Sequence, residues 1–241
     1  MKYSFLSLSI GIILMICHPG SSKAQTLTGT TGLFSIPTAE TSRDSYIAIG
    51  SSVIDRKYLD YSSGKRSILS PFFVFGYLPF LEFTIRVSRQ LEFRGGNHTV
   101  DRAANFKIKF YYETKYLPSF AIGFQNPYST VVAANHFNST YLVASKNIAI
   151  GSFLKNLSIT AGYGSDIIKA ADYEFIGLFG GMELTFNLQK YLRTDLSLIV
   201  EHDAERLNGA LKIKLFDAIQ IMGGLQGFDA FSGNLAFSFT L

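Results

Sequence analysis

The stretch Phe80-Leu81-Glu82-Phe83-Thr84-Ile85-Arg86-Val87-Ser88 decides the reading of this chain. Leu81, Phe83, Ile85 and Val87 alternate with Glu82, Thr84, Arg86 and Ser88, and a period of two puts the sets on opposite faces of a β-strand. The pattern recurs in both directions. Phe106, Ile108, Phe110 and Tyr112 alternate with Lys107, Lys109 and Tyr111, and Phe120, Ile122 and Phe124 with Ala121, Gly123 and Gln125. Leu157, Ile159, Ala161 and Tyr163 oppose Ser158, Thr160, Gly162 and Gly164; Ile176, Leu178, Met182, Leu184 and Phe186 oppose Gly177, Gly181, Glu183 and Thr185. Leu211, Ile213 and Leu215 alternate with Lys212 and Lys214, and Leu235, Phe237, Phe239 and Leu241 with Asn234, Ala236, Ser238 and Thr240. Weaker segments at 45–54, 72–77, 140–146, 196–203 and 218–226 bring the total to about twelve strands, each near the length that crosses a bilayer at a tilt.

Composition agrees with an all-β chain: 47% hydrophobic residues, 22 Phe, 13 Tyr and 21 Gly, with only 17% charged. A soluble β-sandwich also alternates, but its solvent face usually carries more charge. Here the second face is Ser, Thr, Gly and Gln with a few charges, which suits a crowded lumen. The connections alternate in length. Leu78-Pro79, 115–118, 187–195 and Asp217 are short or turn-like, with 147–156 longer but on the same side, whereas 55–66, 91–102, 126–139, 165–174, 204–207 and 227–233 form the other side. Short turns on one rim and long loops on the other predict a transmembrane antiparallel β-barrel with both termini on the periplasmic side. Tyr77-Leu78-Pro79 and Tyr116-Leu117-Pro118, with a partial echo at Tyr191-Leu192-Arg193, place tyrosines where an interfacial girdle would need them. There is no Trp, so any girdle is Tyr and Phe. Pro71 is expected at a strand start or a bulge, where the missing N–H does no harm.

The first residues read as a secretory signal: Lys2, the apolar run from Phe5 to Cys17, and Ser22-Lys23-Ala24 before a cleavage at Gln25. The run is too short to span a bilayer. Three parts are therefore expected: a signal at 1–24, a polar segment at 25–44 and a barrel at 45–241. Removing the signal takes two lysines, no acid and the sole cysteine, so the remainder is near neutral and has no disulfide or Cys-based metal site. Scattered basic residues argue against nucleic acid. The segment 25–43, which alternates poorly and carries Gly32 and Pro37, is expected either inside the lumen as a plug or in the periplasm.

The charges expected to line the lumen are Glu82, Arg86, Lys107, Lys109, Glu183, Glu201, Asp203, Lys212 and Lys214. Opposite signs on neighbouring strands predict an ion-pair ladder, Glu82 and Arg86 beside Lys107 and Lys109, and Glu201 and Asp203 beside Lys212 and Lys214. A polar track for a sugar polymer, with Tyr111 for stacking, is the functional alternative. Enzymatic chemistry finds no support: there is no Gly-x-Ser-x-Gly element, His98 and His136 fall in predicted loops, and His202 sits between Glu201 and Asp203 at a strand end. No cofactor and no metal are implied.

Gly32-Leu33-Phe34-Ser35-Ile36-Pro37-Thr38-Ala39 resembles the Gly-Leu-x-x-x-Pro-Thr-Ala opening of the YjbH-like outer-membrane proteins, which are associated with exopolysaccharide production. Phe80–Arg86, Tyr116-Leu117-Pro118 with Ala121-Ile122-Gly123, Tyr141–Lys146 and Glu201-His202-Asp203 resemble further elements of that family in order. The chain resembles a short, single-barrel version. The resemblance implies a bacterial outer-membrane barrel in exopolysaccharide export or assembly, with membrane lipid, polysaccharide and other export components as partners, and Gly32, Pro37, Thr38 and Ala39 as motif residues. A small-solute or oligosaccharide channel and a structural or adhesive surface protein are the alternatives.

Overall fold

The computed structural model describes residues 24–61, 64–91, 100–128, 137–168, 175–188 and 193–241. The expected signal up to Lys23, His98, His136 and the Tyr191-Leu192 echo lie outside the described residues. The strands are β1 (Tyr46–Ile54), β2 (Asp60–Tyr61), β3 (Gly64–Lys65), β4 (Ile68–Gly76), β5 (Leu81–Gln90), β6 (Val100–Tyr111) and β7 (Ser119–Gln125). They continue as β8 (Ser139–Ala149), β9 (Leu154–Ser165), β10 (Gly177–Asn187), β11 (Thr194–His202), β12 (Leu207–Leu215), β13 (Ile219–Gln226) and β14 (Ala230–Thr240). Strands β2 and β3 form a small hairpin in the first loop, beside a one-turn 3-10 helix at Arg56–Tyr58. The other twelve close into one antiparallel barrel in sequence order, with β1 pairing both β4 and β14. Closure leaves no unpaired edge.

Alternation now has a direction. Along β5, Glu82, Thr84, Arg86 and Ser88 are buried, while Ile85 is 52% exposed and Arg86 only 1%. The polar face points into the barrel and the apolar face points out. Ile49, Phe73, Ile108, Leu142, Ile159, Leu211 and Leu235 continue the exposed apolar band around the wall. A water-soluble protein rarely exposes so continuous an apolar surface. Tyr77, Phe80, Tyr116, Phe153 and Phe216 are exposed at the short-turn rim, as an aromatic girdle would be.

Several strands run further than the alternation predicts. β6 begins at Val100, so the loop before it is shorter than expected, and β12 begins at Leu207, which shifts the connection before it to 203–206 at the same length. The early part of β6 hides its period because Arg102 faces outward near the loop rim, opposite Val87, while Asp101, Ala103 and Asn105 are buried. β4 begins at Ile68, which puts Pro71 inside a strand and overturns its expected place at a strand start or bulge. The cost is local: β4 and β5 pair at Leu69↔Arg89 and again at Phe72↔Arg86, skipping Pro71 without a change of register. Ser70 and Ser88 bridge that gap through their hydroxyls at 3.0 Å. On the other side Pro71 stays in register with Ser51.

Tyr111 is a second correction. The β6–β7 pairing shifts between Lys109 and Tyr111, so one extra residue enters the strand. An inserted residue reverses every later side chain. Tyr111 is consequently 37% exposed and meets the outward ring of Phe120 edge-on at 6.0 Å, so it cannot serve a lumenal track.

Candidate functional site

Residues 24–42 occupy the lumen, and the exposed Arg43 and Asp44 lead out of it into β1. Nearly every residue from Gln25 to Ser42 is buried, Leu33, Phe34, Ile36 and Ala39 almost completely. The segment makes two reversals. Thr26 N–H donates to Thr30 O and Gln25 bridges to Thr31; beyond that, Gly32 bridges to Pro37 and Leu33 N–H donates to Ile36 O. Gly32 belongs here for a steric reason: a Cβ would lie 2.3 Å from Ile36 O and 2.9 Å from Pro37 Cα, backbone atoms that cannot yield. The motif Gly32-x-x-x-x-Pro37 is thus the tip of a plug.

A chain buried in a polar lumen must find partners for its backbone groups, and the inward side chains supply them. Gln220 accepts from Gln25 N at 3.0 Å and donates back to Gln25 O at 2.8 Å. Asn234 donates to the carbonyls of Gln25 and Thr26, and Asn105 to the Thr30 hydroxyl. Glu82 accepts from Thr31 N–H and from both Ser42 N–H and its hydroxyl, each at 2.8 Å. Lys107 lies 3.4 Å from Glu82 and donates to Thr31 O at 2.6 Å. Glu201 receives three successive backbone N–H groups of the plug tip, Phe34 at 3.0 Å, Ser35 at 2.7 Å and Ile36 at 3.4 Å. Lys109 pairs with Glu40 at 2.9 Å, Ala39 N–H donates to Ser145 Oγ, and Thr38 N–H to Thr31 O.

The expected ladder therefore forms only in part. Glu82 and Lys107 are cross-strand partners. Lys212 pairs with Glu183, two strands away, at 2.6 Å, rather than with Glu201 or Asp203. Asp203 instead caps the β11–β12 turn, accepting from Arg206 N at 2.7 Å and Asn208 Nδ2 at 2.9 Å. The Arg86 guanidinium sits 4.3 Å from the Phe137 ring centroid. Register explains the difference: β11 meets β12 with Glu201 opposite Asn208 and Lys212 opposite Ser197. His202 faces outward while Glu201 and Asp203 are buried. Sequence reading missed Thr31, Glu40, Ser42, Gln220 and Asn234. The inward amides on β13 and β14 were a visible signal, but their partner was not.

The lumen differs along its length. Toward the long-loop rim an apolar cluster fills it, with Leu27, Phe34 and Ile36 of the plug against Ile54, Phe137, Phe175, Phe179 and Ile199. Toward the short-turn rim, between the plug and β8–β12, lies a cavity of about 470 Å³. Lys214 and Asp217 stand toward its rim, and Lys212, Glu183, Glu40 and Asn147 line it further in.

These features define a closed, self-plugged β-barrel with a polar vestibule at one end. The family model described as "Exopolysaccharide biosynthesis protein YbjH" matches residues 24–206, from the start of the described plug into the β11–β12 turn. The chain belongs to the YjbH family of exopolysaccharide biosynthesis proteins. No curated protein matches it. A solved structure described as a bacterial polysaccharide outer membrane secretin is similar over 81% of this chain and 98% of its own, at 9% identity and a TM-score of 0.37.

Proposed function

We propose that this protein is an outer-membrane barrel taking part in exopolysaccharide export or assembly. The observation that carries the membrane reading is the inverted wall: apolar side chains outside, polar side chains and a plug inside. Hydrocarbon is the medium that such a surface fits. Family membership supports the exopolysaccharide role. In this reading residues 1–24 are the export signal, 25–44 the plug with its lead into β1 and 45–241 the wall, with the short-turn rim toward the periplasm. The plug speaks against a small-solute channel, because Glu82 and Lys107 are spent holding it. The polymer and other export components are the expected partners, and no catalytic role is assigned.

Two experiments test this. The outer-membrane fraction should contain the chain as a band whose gel mobility changes on boiling, as a detergent-resistant barrel does. Deleting the gene should abolish secreted polymer while uptake of small solutes is unchanged. A soluble periplasmic protein, or a deletion strain with normal polymer, would refute the proposal.

A further inference from the structure

We propose that the vestibule is a binding pocket for a short, uncharged oligosaccharide segment, entering from the short-turn rim. This deepens the export reading and rests on it.

Size comes first. At about 470 Å³ the cavity falls in the range of small-ligand sites. Its wall is then the chemistry that sugar hydroxyls require. Asn147, Asn156, Ser158, Thr160, Thr185 and Ser197 line it from four consecutive strands. Each hydroxyl can donate once and accept twice, and each amide offers two donors and an acceptor. Their mutual bonds, Ser158 to Asn147 at 2.6 Å and Thr185 to Ser197 at 3.1 Å, orient them and leave part of that capacity for a guest.

Charge selects the class of sugar. Lys212 is matched by Glu183 at 2.6 Å, Lys155 by Asp195 at 2.6 Å, and Glu40 by Lys109 at 2.9 Å. Lys214 and Asp217, of opposite sign, stand toward the mouth. An anionic polymer would have to compete with these pairs; the two largely buried ones, Lys212–Glu183 and Lys109–Glu40, leave a costly charge behind if they lose a partner, whereas Lys155 is half-exposed. A neutral ligand leaves them intact. The pocket also ends inside the barrel: Gly32 and Leu33 of the plug tip line it, and the apolar cluster lies beyond. A guest therefore enters and leaves by one rim, and the pocket holds a chain segment while the plug is in place.

The test uses the full-length barrel in detergent micelles, titrated with maltotriose and cellotriose as neutral probes and with trigalacturonate as the acidic one. Ligand-observed NMR should show saturable binding of at least one neutral trisaccharide and none of trigalacturonate. Thr185→Phe, which fills the vestibule from β10, should weaken that binding at least tenfold. If that variant loses its heat-dependent gel mobility, Ser158→Leu probes the same space from β9. Failure of both neutral sugars to bind the folded barrel overturns the pocket. So does tighter binding of trigalacturonate, or binding indifferent to the filled cavity. Polymer secretion separates the two readings. If deletion abolishes secretion but Thr185→Phe secretes normally, the export role stands and the pocket falls. If deletion leaves secretion normal, the export role falls and the titration alone decides the pocket.

Discussion

The two halves of the lumen hold the same plug by different means, apolar packing around the Glu201 carboxylate at the long-loop end and polar attachment at the short-turn end. At the long-loop end Leu27, Phe34 and Ile36 pack against wall aromatics, and room for those rings is made in the wall itself: a Cβ on Gly123 would meet the Tyr141 ring at 2.2 Å, and one on Gly162 the Phe179 ring at 2.3 Å. At the short-turn end the stems of the plug are held by hydrogen bonds and ion pairs centred on Glu82, Lys107, Lys109 and Glu40, beside an open vestibule. Apolar packing excludes water and seals. Polar attachment tolerates water next to it. The contrast therefore separates a sealing end from a receiving end within one barrel.

The largest effect should come from breaking the polar end. Glu82→Ala leaves Lys107 buried without its carboxylate, worth roughly 3–5 kcal/mol, and orphans the Thr31 and Ser42 donors. Urea unfolding in detergent should show that loss, and amide exchange should accelerate at Thr31 and Ser42 while Phe34–Ile36 stay protected. Equal acceleration at both ends would mean that the halves are not independent. Phe179→Ala attacks the seal instead and should cost about 3 kcal/mol. It should also raise single-barrel ion conductance above the low level expected of the plugged protein; unchanged conductance would assign the seal elsewhere.

Glu201→Gln is the finer probe, because it keeps the shape while removing the charge that faces three backbone N–H groups. A loss of about 1–3 kcal/mol, with faster exchange confined to Phe34–Ile36, is expected. Tyr111→Ala should change stability by less than ~0.5 kcal/mol and leave sugar binding untouched, since its ring lies outside the barrel. A strong effect on binding would contradict the bulge.

The smallest effect concerns the loops above the sealed end. Lys57 and Tyr58 both donate to Asp229, and the Arg206 guanidinium stacks 4.0 Å from the Tyr58 ring centroid. The hydrogen bonds from Lys57 and then Tyr58 hold the Asp229 carboxyl below its ordinary value, and the bond to Asp229 holds Lys57 above its own. A depressed carboxyl contributes stability above its unfolded pKa of about 3.9 and loses it as pH falls through the folded value. A raised lysine keeps its contribution up to about 10.4 and loses it as pH rises through the folded value. The clasp should thus be constant across neutral pH and open under acid, read from the Tyr58 ring resonances. Because these groups are exposed, global stability should scarcely follow.

The strand count and the existence of a two-faced wall were legible in the chain itself, since a side-chain period of two is set by backbone geometry and survives in any β-sheet. Strand ends were less legible. Arg102 and Pro71 break the apparent pattern, yet both are accommodated, one facing outward near the loop rim and one on an outward face with its lost ladder bond bridged by serines. The motif Gly32–Ala39 could be found by resemblance, but not its purpose as a plug tip, because its wall partners Ser145 and Glu201 lie more than a hundred residues away. Ion-pair partners were misread for a related reason: sequence shows which strands are neighbours but not their stagger, and the register sets Lys212 beside Ser197 and within reach of Glu183. Sequence alone determined the alternating, weakly charged strands of a barrel wall, which follow from local periodicity and composition. Only the closed tertiary structure decided what fills the barrel, which end is sealed and which charges meet, because those depend on register and on long-range burial, where each buried donor and charge must find its own partner.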